Sequence, residues 1–345
     1  MSAAKKKKKS RVALYVMIAI ITITLIAVYK VFGPNTGSFT QGEYLYVRTG
    51  SDYERLKTTL EQGGFISDMT SFDLLAKQAK LPEHVHAGKF KIRSGMSNYN
   101  IVRMLRSGRQ TPVKLVINRL RKKQDLVNML CMNLEADSAV LKQLLNDQEY
   151  AAQFGLDTNT IMCAVMPNTY DFYWNTTADK AFRKIEKTYS RFWDEAHKQL
   201  ATAQGLTPVK AIIIASIVDE ETNMSDDKPK IASVYINRVN KGMRLQADPT
   251  VKFAIGDFTI RRVTGPMLQI VSPYNTYMYA GLPPGPICTP SVNSIESVLH
   301  APKTTYMYFC ASPDFSGHSD FATTYEEQMK NAHAYQKALN ARNIH

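Results

Sequence analysis

Residues 207–222 read TPVKAIIIASIVDEET, a stretch that predicts a helix buried on every side. Thr207 is a residue type that caps helix starts, and Pro208 suits the first helical position. From residue 211 to residue 218 the side chains are apolar almost all round the helix, which is typical of a core helix. We therefore expect this helix to be buried within the larger domain of the chain.

Three consecutive acids end this helix: Asp219, Glu220 and Glu221. A helix C-terminus already carries partial negative charge, so three acids there oppose a local preference, and such an exception can mark a function. Apolar neighbours and adjacent carboxylates raise the pKa of an acid, as a general acid requires. Spacing does not choose between Glu220 and Glu221. An equally weighted alternative is a solvated helix end paired with Lys228 or Lys230.

The segment that follows carries further polar candidates. A helix predicted over 228–241 contains Asn237, and Gln246 and Asp248 come after its end. Asp248 also has a simpler interpretation as the cap of a short helix, because a proline follows it.

The stretch SPYNTYMYAGLPPGPI at 272–287 is dense in Tyr, Pro and Gly. Such a composition excludes a long helix or a central strand. It predicts a rigid loop that presents aromatic rings and an amide, as sugar-binding clefts do, or else a stiffened connector packed by its own tyrosines. Beyond it, residues 305–311 predict a strand, and the Thr-Thr and Glu-Glu pairs within 323–327 predict a capping box for the last helix.

The N-terminus reads as a membrane anchor. Residues 12–29 carry no charge, and as a helix they span about 27 Å, close to a hydrocarbon core. Six positive charges precede them, so we predict a cytoplasmic basic tail over 1–11 and a transmembrane helix over 12–32, with the rest outside. A cleaved signal peptide and a buried core helix are the alternatives, but the apolar run is long and no A-x-A site follows it.

Between the anchor and the acidic helix, the fold class indicated is α+β. Residues 33–42 predict a linker, and 43–118 predict a strand–helix–helix–strand module with a further helix and strand. That order resembles a LysM glycan-binding module, although many α+β folds share it. A domain boundary near 118 leaves a larger mixed α/β domain over 119–345, in which 177–203 predicts a long amphipathic helix.

The amino-acid composition excludes several classes of protein for this chain. The chain has 345 residues, 44% hydrophobic and 21% charged, which excludes a disordered chain, a collagen and a coiled-coil rod. The net charge of +13 favours an anionic partner. No feature other than this charge points to nucleic acid, so we do not expect the protein to bind it. The four cysteines form no C-x-x-C pair and His84-x-His86 is the one close histidine pair, so we expect no metal and no cofactor.

Three separated motifs carry a family resemblance. ASIVDEET (215–222), IASVYINRVNKGMRLQADPTV (231–251) and SPYNTY with GLPPGPI (272–287) closely resemble the MltG (YceG-like) endolytic murein transglycosylases. In that family the catalytic acid is the second Glu of S-I-V-E-x-E-T, which falls on Glu221. The first Glu of the pattern is Asp219 here, which argues against Asp219 as the acid.

The resemblance implies a lytic transglycosylase that cleaves the β-1,4 bond between N-acetylmuramic acid and N-acetylglucosamine, leaving a 1,6-anhydro end and thereby terminating or trimming nascent strands. Glu221 would be its catalytic residue. By similarity to the glutamine and Tyr-Asn motifs of other lytic transglycosylases, four residues line the sugar cleft: Gln246, Tyr274, Asn275 and Tyr277. Two more brace it: Asn237 and Asp248.

Two other functions stay open. One is a hydrolytic muramidase, in which Asp248 or Asp219 supplies the second carboxylate that hydrolysis generally needs. The other is a non-catalytic, membrane-anchored scaffold that binds the cell wall. The partners implied are peptidoglycan glycan strands, the inner (cytoplasmic) membrane and peptidoglycan synthases, with the catalytic domain on the periplasmic or outer face.

Overall fold

The computed structural model describes residues 2–39 and 42–342, with side chains from residue 11 onward. Met1, the side chains of the basic tail up to residue 10, and residues 40 and 41 of the predicted linker lie outside the described part. The chain is mixed α+β and divides into two compact units. Unit 1 comprises residues 1–113, 133–135 and 171–176, and unit 2 comprises 114–132, 136–170 and 177–345. The domain boundary near 118 stays a prediction, and the two short segments that return to unit 1 were not foreseen.

Helix α1 (Ser2–Phe32) is continuous and has an exposed apolar surface. Its part from Arg11 to Phe32 is long and apolar enough to cross a membrane, which makes it a candidate span. The chain after it is attached to unit 1 where a linker was expected. The amide of Asn35 donates to the carbonyl of Met96 at 3.0 Å, and that of Gly37 donates to Phe65 at 3.1 Å.

Unit 1 has the predicted order of strand, helix, helix and strand. Its elements are β1 (Tyr44–Val47), α2 (Tyr53–Gln62), α3 (Met69–Gln78), a 3-10 turn (Leu81–Glu83), β2 (Gly88–Lys91) and α4 (Asn98–Arg106). The strands pair antiparallel, with Tyr44 opposite Lys91. The core beneath them is a cluster of buried Leu, Ile, Val and Phe side chains from both strands and all three of these helices. The glycan-binding LysM character of this module stays a prediction.

Strands β3 (Val113–Ile117) and β4 (Asn168–Phe172) form a separate two-stranded sheet. Between them lie α5 (Lys123–Asn133), α6 (Ser138–Leu145), α7 (Gln148–Ala152) and a 3-10 turn (Ile161–Ala164), where the sequence predicted two short helices over 122–150.

The long helix expected over 177–203 is broken in two. Helix α8 (Ala178–Phe192) ends at Phe192, and helix α9 (Glu195–Ala203) begins directly after Asp194. The carboxylate of Asp194 accepts a hydrogen bond from the amide of His197 at 2.9 Å, so it caps the second helix.

The core of unit 2 surrounds α10 (Pro208–Glu221), as its composition predicted. Every residue from 211 to 219 is buried. Helix α10 packs against α9 and against three later helices: α11 (Lys228–Asn240), α12 (Asp248–Ile255) and α13 (Val292–Leu299). A 3-10 turn (Gly265–Gln269) precedes the Tyr- and Pro-rich loop, which is non-helical as expected.

A small hairpin and a last helix complete unit 2. Strand β5 (Tyr308–Ala311) pairs antiparallel with β6 (Ser319–Ala322), and α14 (Tyr325–Ala341) packs against both. The predicted capping box is present and uses Thr324 and Glu327. Strand β5 is shorter than the 305–311 that the sequence suggested.

Candidate active site

The three acids at the end of α10 project into three different environments, because successive residues of a helix are rotated by about 100°. Asp219 is 3% exposed and sits in a polar cage. It pairs with the ammonium of Lys228 at 2.9 Å and with the Arg119 guanidinium at 2.9 Å, and it accepts hydrogen bonds from the hydroxyls of Ser291 and Ser294. Burial would raise the pKa of Asp219, but these hydrogen bonds and charges outweigh it and lower the pKa to about 2. Asp219 is therefore a fixed anion that holds helices together.

Glu220 forms ion pairs with two arginines. Its carboxylate lies 2.9 Å from the guanidinium of Arg121 and 3.6 Å from that of Arg119. A carboxylate held by two guanidiniums forms charge-assisted contacts, which here tie both arginines to the end of α10.

Glu221 has a different environment. Its Oε1 accepts a hydrogen bond of 2.6 Å from the hydroxyl of Tyr235, which projects from α11 and is itself 1% exposed. Desolvation raises the pKa of Glu221 to about 7; the Tyr235 hydrogen bond works against this rise, and the negative charge of Asp248 adds to it. Glu221 can thus hold a proton near neutral pH while its side chain is still partly accessible.

Asp248 and Tyr277 form a pair beside Glu221. The hydroxyl of Tyr277 donates to Oδ1 of Asp248 at 2.6 Å, and burial, then this hydrogen bond and the nearby acids, raise the pKa of Tyr277. Asp248 is the first residue of α12 and the cap position is Ala247, so the alternative interpretation of Asp248 as a helix cap is wrong. Its carboxylate instead joins α12 to the Tyr-rich loop.

Gln246 lies where the chain meets that same loop. Its amide donates to the carbonyl of Thr276 at 3.1 Å, and the next amide, from Ala247, donates to the Thr276 hydroxyl at 3.0 Å. The backbone of Gln246 has φ of 50°, a left-handed conformation that is uncommon for a residue with a side chain, and its side chain is exposed. The neighbouring residues thus hold Gln246 in a strained conformation at the surface.

Asn275 lies in a different position from the one expected. It is 0% exposed, its amide nitrogen donates to the carbonyls of Leu268 and Ile270, and its Oδ1 accepts from the amide of Tyr277. A side chain whose polar atoms are all satisfied inside the loop shapes that loop and does not face a ligand.

Tyr274 and Asn237 contact residues other than Tyr235 and Glu221. The ring of Tyr274 packs against Phe253 with centroids 4.7 Å apart. Asn237 donates to the carbonyls of Thr304 and Tyr306 at 2.9 and 3.0 Å, and it thereby ties α11 to the segment that precedes β5. Its role in bracing the cleft stays a prediction.

Three residues near Glu221 were missed as site residues. They are Tyr235, Arg238 and Lys252, none of which the sequence patterns singled out. The charges of Lys252 and Arg238 act to lower the pKa of Glu221 against the larger effect of burial. The available signal was periodicity, since Tyr235 and Arg238 are three apart and share the face of α11 that turns toward α10. Among the described residues, no group of three His, Cys, Asp or Glu is placed to hold a metal ion.

Comparison with known proteins gives a consistent result. The model of the YceG-like family matches residues 45–334. An endolytic murein transglycosylase of Bacillus subtilis is 36% identical over 179 residues, covering 52% of this chain and 48% of that protein. One from Streptococcus pneumoniae D39 is 24% identical over 316 residues, covering 82% of this chain and 56% of that protein. The chain thus spans about half the length of these relatives.

A solved structure shares the fold. The crystal structure of a YceG-like protein from Listeria monocytogenes is 27% identical and superposes with a TM-score of 0.55. The match covers 84% of this chain and 98% of the Listeria chain.

Proposed function

The chain belongs to the YceG-like family, and on that premise we propose that it is a membrane-anchored endolytic transglycosylase of peptidoglycan. It would cleave the β-1,4 bond between N-acetylmuramic acid and N-acetylglucosamine within a glycan strand. The product would end in 1,6-anhydro-N-acetylmuramic acid, and the reaction would terminate or trim nascent strands. The relatives named endolytic murein transglycosylase support this proposal.

One observation carries the proposal. Glu221 has a pKa raised to about 7 by desolvation and one oxygen fixed by the hydroxyl of Tyr235. A partly accessible carboxylic acid that is half protonated at neutral pH suits general acid catalysis.

In the first half of the reaction Glu221 acts as an acid. Because Tyr235 donates to Oε1, the proton resides on Oε2. Glu221 would give that proton to the glycosidic oxygen as the bond from C1 of the muramic acid breaks. The leaving N-acetylglucosamine then departs with a hydroxyl, and the Tyr235 hydrogen bond stabilises the carboxylate that forms.

In the second half the same carboxylate acts as a base. It would take the proton from the 6-hydroxyl of the muramic acid as that oxygen bonds to C1. Glu221 ends protonated, as it began, and no water is consumed. The nucleophile is part of the same sugar, so proximity replaces the second carboxylate that hydrolytic glycosidases generally use.

Some of the surrounding residues would contact the glycan strand, and others would hold the site in place. Gln246 and Tyr277 are candidates to contact the sugar beside Glu221, since one is exposed and the other lies next to Asp248. Tyr274 would contact a more distant part of the substrate. Asn275, Asn237 and Asp248 would act through the parts of the site that they hold in place.

Helix α1 would anchor the enzyme in the cytoplasmic membrane. The basic residues that precede the apolar part favour the cytoplasmic side, which would place unit 2 on the outer face, where glycan strands lie. Peptidoglycan synthases that work at the same face would be its protein partners.

The test is the chemistry of the strand ends. The full chain in detergent would be incubated with purified peptidoglycan, and the released ends would be identified by mass spectrometry. Anhydro ends are expected from the wild type and from Glu220→Gln at reduced yield, but not from Glu221→Gln. The adjacent Glu220 is a matched control because the chemical change is the same.

Two outcomes would contradict the proposal. Reducing ends would indicate a hydrolytic muramidase and would direct attention to Asp248 as the second carboxylate. Binding of peptidoglycan without cleavage would indicate a scaffold.

A further inference from the structure

A basic pocket lies in unit 2 beside the acidic helix end. It is a cavity of about 460 Å³ whose wall includes four cationic and two aromatic side chains. We call it the basic pocket, and the lining residues that matter here are Arg121, Lys122, Lys123, Lys142, Phe253 and Tyr274. Among the described residues that line it, none is Asp or Glu. Such a cavity favours an anionic ligand.

The four cationic side chains differ in how far they are already bound within the protein. Lys123 donates to the carbonyl of Leu145 at 2.7 Å and to Asn146 at 2.8 Å, so its ammonium helps to build the wall. The Arg121 guanidinium is held by Glu220. Lys122 and Lys142 are exposed side chains that line the pocket, and the ammonium of Lys122 also donates to the carbonyl of Gly256 at 3.3 Å. An ammonium has three donors, so each can bind an incoming carboxylate.

Helix α12 connects the basic pocket to Glu221. Its first residue, Asp248, raises the pKa of Glu221, and Lys252, one turn later, lowers it by its positive charge. Lys252 also lines a narrow cavity of about 50 Å³ that shares Arg121 and Phe253 with the basic pocket. Phe253 lies about 7.5 Å along the helix axis from Asp248. The same short helix thus contributes to the environment of the acid and to the wall of the pocket.

We propose that the basic pocket is the binding subsite for the carboxylate-bearing stem peptide of the glycan strand that is cut at Glu221. The inference rests on the proposed function. The muramic acid whose C1 is attacked also carries the stem peptide, so a peptide must leave that sugar beside Glu221. The peptide carboxylates match Lys122 and Lys142, and its aliphatic side chains match the wall of Phe253 and Tyr274. The pocket makes the enzyme selective for strands that still carry their peptides.

The first experiment compares two substrates. The kcat/KM of the full chain in detergent would be measured on glycan strands with stem peptides and on the same strands after an amidase has removed them. The wild type is expected to prefer peptide-bearing strands. The double variant Lys122→Gln, Lys142→Gln should lower that preference by about three- to tenfold, since exposed ion pairs are individually weak. Lys187→Gln, which removes an exposed lysine of α8, is the matched control and should leave the preference unchanged.

The second experiment measures binding without turnover. In the Glu221→Gln chain, calorimetry would compare muramyl dipeptide, which has a free carboxylate, with its uncharged carboxamide. The acid form should bind more tightly, the difference should shrink at high salt, and it should be lost in the double lysine variant.

The outcomes separate the two proposals. If the wild type cuts both substrates equally well, or if the acid and carboxamide forms bind alike, the subsite assignment is wrong. If no strand is cut but the acid form binds through Lys122 and Lys142, the proposed transglycosylase activity fails while the assignment of the pocket stands.

Discussion

Replacing Glu221 with glutamine is expected to remove the catalytic acid and also to make unit 2 more stable above pH 7. The physical reason is the raised pKa of Glu221, which means that the folded protein disfavours the ionised carboxylate. Glutamine has nearly the same shape, carries no charge at any pH, and keeps an oxygen that can accept the hydrogen bond from Tyr235.

The size of the effect follows from the change in pKa. A rise from the ordinary 4.5 to about 7 corresponds to about 3–4 kcal/mol, at about 1.4 kcal/mol per pH unit. Below pH 4.5 the carboxyl is protonated in both the folded and the unfolded chain. The wild type and the variant therefore have the same stability there. As the pH rises from 4.5 through 7 the unfolded chain ionises first, so the wild type loses stability relative to the variant. Above pH 7 the difference is constant, at about 2–3 kcal/mol after partial relaxation around the charge.

The assay is urea denaturation of the full chain in detergent, repeated from pH 4 to pH 8. The chain has two tryptophans. Trp193 is 4% exposed and lies in unit 2, whereas Trp174 lies in unit 1. A Trp174→Phe background therefore makes the fluorescence report on unit 2. Glu220→Gln is the control, and it should not stabilise the protein at any pH because it breaks ion pairs with arginine.

Two results would refute this reasoning. In one, the Glu221→Gln variant is no more stable than the wild type at pH 8. In the other, its extra stability is already complete at pH 4, where the carboxyl is protonated in every state.

Three further substitutions test the site. Tyr235→Phe removes a hydrogen bond that lowers the pKa of Glu221, so the alkaline limb of the rate profile should move up by about 0.5–1 pH unit. Asp248→Asn removes a negative charge that raises this pKa, so the same limb should move down by a similar amount; a folded but fully inactive variant would show that Asp248 does more than support the site. Asp219→Asn should destabilise the protein by about 2–4 kcal/mol at pH 7, measured by denaturation, because it leaves the buried ammonium of Lys228 without its anion. The contribution of Asp219 should fade as the pH falls from 3.8 to about 2, and an equally stable variant at pH 7 would contradict the buried ion pair.

Local patterns in the sequence were sufficient for several elements. The all-round apolar run at 211–218 predicted the buried helix, and the uncharged stretch at 12–29 predicted the candidate span. The Thr324 capping box was also read correctly. These features depend on neighbours within one or two helical turns, so a local reading can find them. The break between α8 and α9 was missed because a helical pattern continues across Asp194, whose capping role is visible only in the structure.

The sequence by itself determined that three acids end a buried helix, and only tertiary structure decided which of them are paired with cations and which one is not. Spacing left Glu220 and Glu221 equal, and the family pattern alone favoured Glu221. In the folded chain Asp219 and Glu220 meet Lys228 and arginines, whereas Glu221 meets the hydroxyl of Tyr235. The same applies to the Tyr-rich loop, where Asn275 proved to be buried. The physical reason is that a pKa depends on burial and on charges within a few ångströms, and those neighbours come from helices and loops that are distant in the chain.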